Sequence, residues 1–227
     1  NDIRISALAE LKFGAFPNKP FNGLFMHIGT GSGFTFITNG KIYKGSNGFA
    51  GEFGSINDID VYSKSWTGRI QSIWDILKMN GSAFNPYLNY KSEEEIYADL
   101  LEKYKNKDSV LMNKIDESVK MNAITIINYC AALDTEYLVI EGPIFNIVND
   151  YVERLSKAIE GYSLSKFRTK ILVSKLNDQS SSLGAAYQGV TIYLYDVLEK
   201  MTRKRIRNVY KTRSPWIHPK RWKTICS

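Results

Sequence analysis

Apolar residues recur at helical spacing from Ile3 to Phe13, through Ile5, Leu8 and Leu11, and Gly14 ends the run ahead of a loop carrying Pro17 and Pro20. Two runs of strand character follow, Gly23–Ile28 and Phe34–Thr38, separated by the glycine run GTGSG. Asn39-Gly40, between the second run and Lys41–Tyr43, is a strong two-residue hairpin signal, so three strands in antiparallel order are predicted. Gly45 to Ile56 holds four glycines and no periodicity, which reads as a loop. Helices are expected over Arg69–Lys78 and Ser92–Lys105, divided by the turn-rich NGSAFNPYLNY. Ser92 is placed to cap the second, with Glu95 at the capping-box distance. A long helix over Val110–Leu133 has apolar positions (Leu111, Ile115, Val119, Ile126, Ile127, Cys130) crowded enough to bury more than one side. Beyond it come a short strand Tyr137–Ile140, broken by Glu141-Gly142-Pro143, a helix Phe145–Ile159, a strand Thr169–Ser174 and a helix Ser181–Lys200. Helices alternating with strands mark a layered α/β domain. No repeat and no low-complexity linker interrupts it, and beyond Met201 the chain lacks a core face.

Composition narrows this picture. The 227 residues are 44% apolar and 23% charged, the balance of a soluble globular protein. No apolar run approaches the roughly 20 residues of a bilayer span, no secretory leader pattern is present, and a cytoplasmic setting without membrane contact is expected. Two cysteines, Cys130 and Cys226, supply neither a disulfide framework nor a Cys-rich zinc site. The net charge of +7 is local: ten of the 30 basic residues follow Glu199 and no acid does, so residues 1–199 carry 20 basic against 23 acidic groups. A phosphate-gripping basic face would be distributed differently. The basic tail 201–227, interleaved with Tyr210, Trp216 and Trp222, is expected to be an unstructured extension, the sharper reading being a contact for nucleic acid or an anionic membrane.

Candidate chemistry is sparse. The turn Gly29-Thr30-Gly31-Ser32-Gly33 lets successive backbone N–H groups face one space, a shape suited to phosphate, though a tight hairpin would look the same. It matches neither the dinucleotide nor the P-loop pattern. Asp2 stands at a helix start, where it is either an N-cap or a carboxylate aimed at a hydroxyl as general base. Glu52, in a glycine-rich loop, is a solvated acid or a ligand for sugar hydroxyls. His27 reads as a satisfied core or interface histidine, and His218 lies in the tail. With Cys130 in a buried helix, no Cys–His pair or metal cluster is proposed.

Taken together, NDIRISALAE, GTGSGFTFITNGKIYKGSNGFAGEFGS, YLVIEGP and SSLGAAYQG resemble the ROK family (repressor, open reading frame, kinase) over roughly residues 1–198, most specifically from Gly29 to Ser55. The resemblance implies the α/β large lobe of an actin/hexokinase-like, ribonuclease H-like fold: a mixed sheet with helices on its faces, a helical insertion at about 66–105, and the C-terminal lobe ending near residue 200. By the same resemblance, Asp2 matches the catalytic Asp of the kinases, Asn1, Asp2 and Glu52 match positions holding sugar hydroxyls, Thr30 and Gly31 match the turn facing nucleotide phosphates, and Gly142 matches a glycine near the adenosine.

Departures from the family pattern change what is expected. Ser55 stands where GExGH has its histidine, and INDIDVYSKSWTGRIQS carries none of the cysteines of CxCGxxGCxE, so no zinc is expected and apolar packing around Tyr62 and Trp66 is expected to hold the loop instead. The first lobe with its DxGxT motif, and any DNA-binding domain, are expected upstream of Asn1; this chain alone is expected not to phosphorylate a sugar. The favoured reading is the monosaccharide-sensing part of a transcriptional repressor of carbohydrate metabolism, requiring no cofactor and reaching DNA only through an upstream domain. The alternative is the large lobe of a hexose kinase, with Asp2 as base and MgATP as donor. A homodimer through the long helices is expected in either case.

Overall fold

The structure, a computed structural model, describes residues 1–52, 70–77, 90–163 and 168–213, with side chains through Lys204. It divides into two compact units, Asn1–Gly184 and Ala185–Ser227.

The first unit is built on a mixed sheet of β1 (Gly23–Ile28), β2 (Ser32–Thr38), β3 (Lys41–Tyr43), β4 (Tyr137–Glu141) and β5 (Lys170–Val173), in the order β3-β2-β1-β4-β5. The first three strands are antiparallel neighbours, while β4 lies parallel to β1 and β5 parallel to β4. The β2–β3 hairpin closes at Asn39 (φ 50°) and Gly40 (φ 69°), two positive-φ residues as its turn type demands. Strand β1 is central, and its alternation feeds two cores. Leu24, Met26 and Ile28 face one side with Ile73, Leu100, Ile115, Ile126 and Leu155. Phe25 faces the other with Ala7, Phe16, Phe21, Ile37 and Val139.

Seven helices accompany the sheet among the described residues: α1 (Asp2–Phe13), α2 (Ile73–Leu77), α3 (Glu93–Lys105), α4 (Ser109–Leu133), α5 (Ile144–Ile147), α6 (Tyr151–Tyr162) and α7 (Ser180–Arg213). The mixed α/β architecture agrees with the expected fold class. In α4, only Asn128 is exposed between Met121 and Cys130, in keeping with the expected burial of more than one side. A buried polar knot sits inside that core: Tyr151 Oη lies 3.0 Å from Ser118 Oγ and accepts from Asn122 Nδ2 at 2.8 Å. Burial pushes the Tyr151 phenol up to about 12.

Several boundaries differ from the expectation. The helix predicted from Arg69 begins at Ile73 because Ser72 and Asp75 cap each other, Ser72 N and Oγ donating to Asp75 Oδ2 at 2.8 and 2.7 Å. Ser92 does cap α3, but the Glu95 carboxylate reaches back to Lys91 N at 2.7 Å. The single helix predicted over Phe145–Ile159 is two, because Val148 (φ −105°, ψ 85°) leaves the helical region between α5 and α6. The last helix, predicted to stop at Lys200, runs on to Arg213, so the tail expected to be unstructured from residue 201 is helical through that point. Its apolar side chains Val190, Leu194, Leu198 and Met201 are exposed. Of the expected insertion at about 66–105, residues 73–77 and 93–105 are helical, and much of the rest lies outside the described residues.

Two glycines permit close backbone approach around the turn between β1 and β2. At Gly142 (φ 128°) a Cβ would lie 2.2 Å from the Ile28 carbonyl oxygen, and at Gly51 (φ 86°) 2.5 Å from that of Phe34. These contacts bring the end of β4 and the loop after β3 against the strands that flank the turn.

Candidate functional site

The N-terminus of α1, the β1–β2 turn and the loop after β3 enclose a cleft of about 680 Å³. Asn1, not Asp2, is the N-cap of α1: its Oδ1 accepts from Arg4 N at 3.1 Å, while Asp2 is the first helical residue. Among the described residues Asp2 Oδ1 accepts only from the adjacent Ile3 N, at 2.8 Å, and the side chain is exposed on the cleft. The cap reading of Asp2 is thereby corrected, because its neighbour already satisfies the helix start.

Glu52 is tied back to the same helix. Asn1 Nδ2 donates to Glu52 Oε1 at 2.6 Å, and a guanidinium nitrogen of Arg4 stands 3.4 Å from that oxygen. The same guanidinium donates to the carbonyls of Gly48 and Ala50 at 2.6 and 2.7 Å. Arg4 thus clamps the loop in which Glu52 sits. Tyr62 and Trp66, expected to hold this loop, lie outside the described residues, as does Ser55. The zinc donor set does not fit this chain: Cys130 is buried in mid-α4 and no cysteine follows Glu52 in the loop.

The glycine turn is braced from three sides. Gly29 N donates to Gly31 O at 2.8 Å across the turn, and Ile73 N of α2 donates to Gly29 O at 2.9 Å. Ser32 Oγ donates to Ile70 O at 2.7 Å. Thr30 Oγ1 donates to Glu93 Oε1 at 2.6 Å, and Tyr97 Oη to the other carboxylate oxygen at 3.4 Å.

Of the residues singled out from sequence, Asn1, Asp2, Thr30, Gly31 and Glu52 all line the one cleft. Gly142 does not; its place on the cleft is taken by Pro143 and Asn146, and Gly142 serves the backbone contact with Ile28. Sequence reasoning missed His27, Glu93, Tyr97, Asp178 and Ser181, which share the lining. His27, expected to be a satisfied core or interface histidine, lies on the lining of the cleft. Its position two residues before the turn, on the Phe25 side of β1, was the available signal. Burial holds its pKa below that of a free histidine, against the opposing pull of the Asp2, Glu93 and Asp178 carboxylates.

Behind the cleft lies a second acidic layer. Glu10 Oε1 accepts from Ser174 Oγ, Lys175 N and Leu176 N at 2.5, 3.1 and 3.0 Å, and its Oε2 from Ala15 N at 2.5 Å. Glu141 accepts from Ser180 Oγ through one oxygen, while its buried Oε2 has no hydrogen-bond partner among the described residues. Burial pushes the Glu141 carboxyl up to about 7. These groups fix the first turn of α7, from which Ser181 meets Ser6 of α1 at 2.7 Å.

The chain that forms this cleft resembles known proteins in sequence and in fold. The chain is 27% identical over 199 residues to the N-acetyl-D-glucosamine kinase of Mannheimia succiniciproducens, covering 82% of this chain and 64% of that protein. It is 24% identical to a putative xylose repressor of a Caldicellulosiruptor species, covering 81% of this chain and 49% of the repressor. Its fold is that of the ROK hexokinase from Thermus thermophilus (TM-score 0.65, 19% identity, 84% of this chain and 65% of that one). It is equally that of a ROK glucokinase from Streptomyces griseus solved with glucose and AMPPNP (TM-score 0.64, 18% identity, 83% and 66%). These neighbours carry the actin/hexokinase-like fold. The chain therefore spans less than two thirds of the length of these curated relatives, which are mostly sugar kinases with some repressors among them. Residues 1–189 match the ROK family, and this chain belongs to it.

Proposed function

We propose that this chain is the sugar-binding lobe of an ATP-dependent sugar kinase, acting on a hexose or N-acetylhexosamine, rather than the sensing part of a repressor. The observation that carries the reading is the sharing of one cleft by Asp2, Glu52 and the Thr30–Gly31 turn. A sensor needs hydroxyl partners alone, because differential sugar affinity between two states is enough. A phosphotransferase needs an acceptor site and a phosphate site side by side. The kinase relatives support the same choice, which reverses the preference drawn from the missing loop histidine.

In this reading Asn1 and Glu52 hold sugar hydroxyls, and the Asp2 carboxylate faces the hydroxyl to be phosphorylated. As the sugar oxygen forms its bond to the γ-phosphorus of MgATP, the hydroxyl proton passes to Asp2. The bond from that phosphorus to the bridging oxygen breaks, and its electron pair leaves with ADP. Thr30 and Gly31 steady the phosphates through the turn, the positioning that phosphoryl transfer chiefly demands.

The test is turnover by the full-length protein with N-acetyl-D-glucosamine, N-acetyl-D-mannosamine and glucose. Asp2→Asn is expected to lower kcat by about 10²–10⁴ with little change in sugar affinity, the size of a general-base contribution. A variant as active as the parent, or a parent that binds sugar without releasing ADP, would overturn the kinase reading. The latter result would favour the repressor, represented among the relatives by the xylose repressor.

A further inference from the structure

We propose that His27 is the phosphate-responsive group of the cleft: its imidazole donates to an oxygen of the phosphoryl group at the Thr30–Gly31 turn and takes up a proton from solvent as that anion binds. The inference rests on the kinase reading.

Geometry comes first. His27 is the penultimate residue of β1, two before the turn. Its ring leans over the first glycine: a Cβ at Gly29 would lie 2.7 Å from His27 Nε2, with Pro143 Cδ at 3.6 Å from the same point. The ring thus occupies space beside the turn that any other residue at position 29 would contest. It lines the same cleft as Asp2 and Thr30, so one side chain neighbours both the acceptor end and the phosphate end.

Charge is the second argument. The lining includes four carboxylates, Asp2, Glu52, Glu93 and Asp178, and no lysine or arginine among the described residues. Arg4, the nearby cation, is engaged with Gly48, Ala50 and Glu52. Among the described lining residues, His27 is the side chain that can offer a phosphate dianion a positive charge. An anion at the turn favours the charged imidazole, just as a charged imidazole favours the anion, and the two effects are equal by linkage.

The groups around His27 make its protonation responsive rather than fixed. Asp2 faces it from α1, Glu93 from α3 and Asp178 from the 3-10 turn Asn177–Gln179, each favouring the cation, while burial favours the neutral ring. Glu141 is its register partner on β4, and Glu52 lines the cleft from the loop after β3. Burial is the larger influence and tilts the balance toward the neutral ring. A bound dianion adds to the carboxylates' side of the balance.

Imidazole NMR of the full-length protein tests this. Within the present sequence the histidines are His27 and His218. A His27→Gln variant assigns the His27 signal, and His218, set among basic residues, reports anion binding to the tail. Inorganic sulfate is the probe, because it remains a dianion throughout a titration from about pH 5 to 8 while mimicking a phosphoryl group. With sugar present, saturating sulfate is expected to raise the His27 midpoint by about one pH unit, which equals a tenfold tighter grip on sulfate by the protonated form. The His27→Gln variant should bind sulfate in the cleft with no such pH dependence. If sugar binds and the His27 midpoint stays still under sulfate, this inference falls while the kinase reading stands. If neither sugar nor sulfate perturbs the cleft, both fall. The wild-type titration decides the matter even if the variant fails to fold.

Discussion

Asn1 and Glu52 are joined side chain to side chain, the amide of the α1 cap donating to the carboxylate of the β3 loop at 2.6 Å. Since Asn1 also caps α1 and Arg4 also grips the loop carbonyls, a helix start and a distant loop behave as one rigid edge of the cleft.

Arg4→Ala should therefore loosen that edge. It removes two charge-assisted bonds to Gly48 and Ala50 and the ion pair to Glu52. Urea denaturation is expected to register a loss of about 1–3 kcal/mol. Both carbonyl bonds come from one guanidinium nitrogen, so Arg4→Lys, whose ammonium carries three donors, should recover part of the loss. No loss in Arg4→Ala would refute the clamp.

Glu141 makes stability fall with rising pH. Its folded-state pKa, near 7, stands above the ordinary 4.5. The protonated carboxyl therefore contributes stability that is complete below about pH 4.5 and is lost as pH rises through about 7. Across that window the group accounts for a decline on the order of 1–3 kcal/mol. Glu141→Gln, neutral throughout, should flatten the decline and leave the protein more stable than the parent at pH 8. An unchanged pH–stability curve in the variant would contradict the assignment.

Gly142→Ala should be costly although the added group is one methyl. The backbone at φ 128° disfavours any side chain, and the methyl would meet the Ile28 carbonyl at 2.2 Å. A loss of at least about 2 kcal/mol is expected in chemical denaturation. A neutral substitution would mean that β4 can draw away from the turn without consequence.

Tyr151→Phe isolates the buried polar knot. The ring packing remains while Asn122 Nδ2 loses its 2.8 Å acceptor and Ser118 its 3.0 Å partner. The expected cost is about 1–3 kcal/mol, that of stranding buried polar groups. Adding Ser118→Ala, which removes the second hydroxyl while Asn122 keeps its bonds to Gln71 N and O, should cost less than the first change.

The sheet and its long helices were legible in sequence because period and punctuation agreed: Asn39-Gly40 set the hairpin, and the alternation of Leu24, Met26 and Ile28 with Phe25 set the two faces. The helix break at Val148 was not legible, since no glycine or proline stands there. Asp2, Glu52 and the Gly29–Gly33 turn stood out by residue type and setting, and the family resemblance gave them expected roles, whereas their convergence depends on contacts 44 to 63 residues apart, such as Arg4 with Gly48 and Thr30 with Glu93. The place of His27 on the cleft was not legible, because strand alternation assigns a face but does not say where that face ends. On the Phe25 face of β1 the core gives way to the cleft at His27, while Ile28 on the other face stays buried. Nothing in the sequence marked Glu10 and Glu141 as buried, because only the fold supplies the serines that bond them.

The central claim is that this cleft takes a monosaccharide between the α1 start and the β3 loop, and calorimetric titration of the parent and Glu52→Ala proteins with N-acetyl-D-glucosamine, N-acetyl-D-mannosamine and glucose tests it most directly. The account predicts saturable binding of at least one of these sugars by the parent, weakened about tenfold or more in Glu52→Ala, the loss of a charge-assisted hydrogen bond or two. Equal binding by the two proteins, or no binding by the parent, would contradict it.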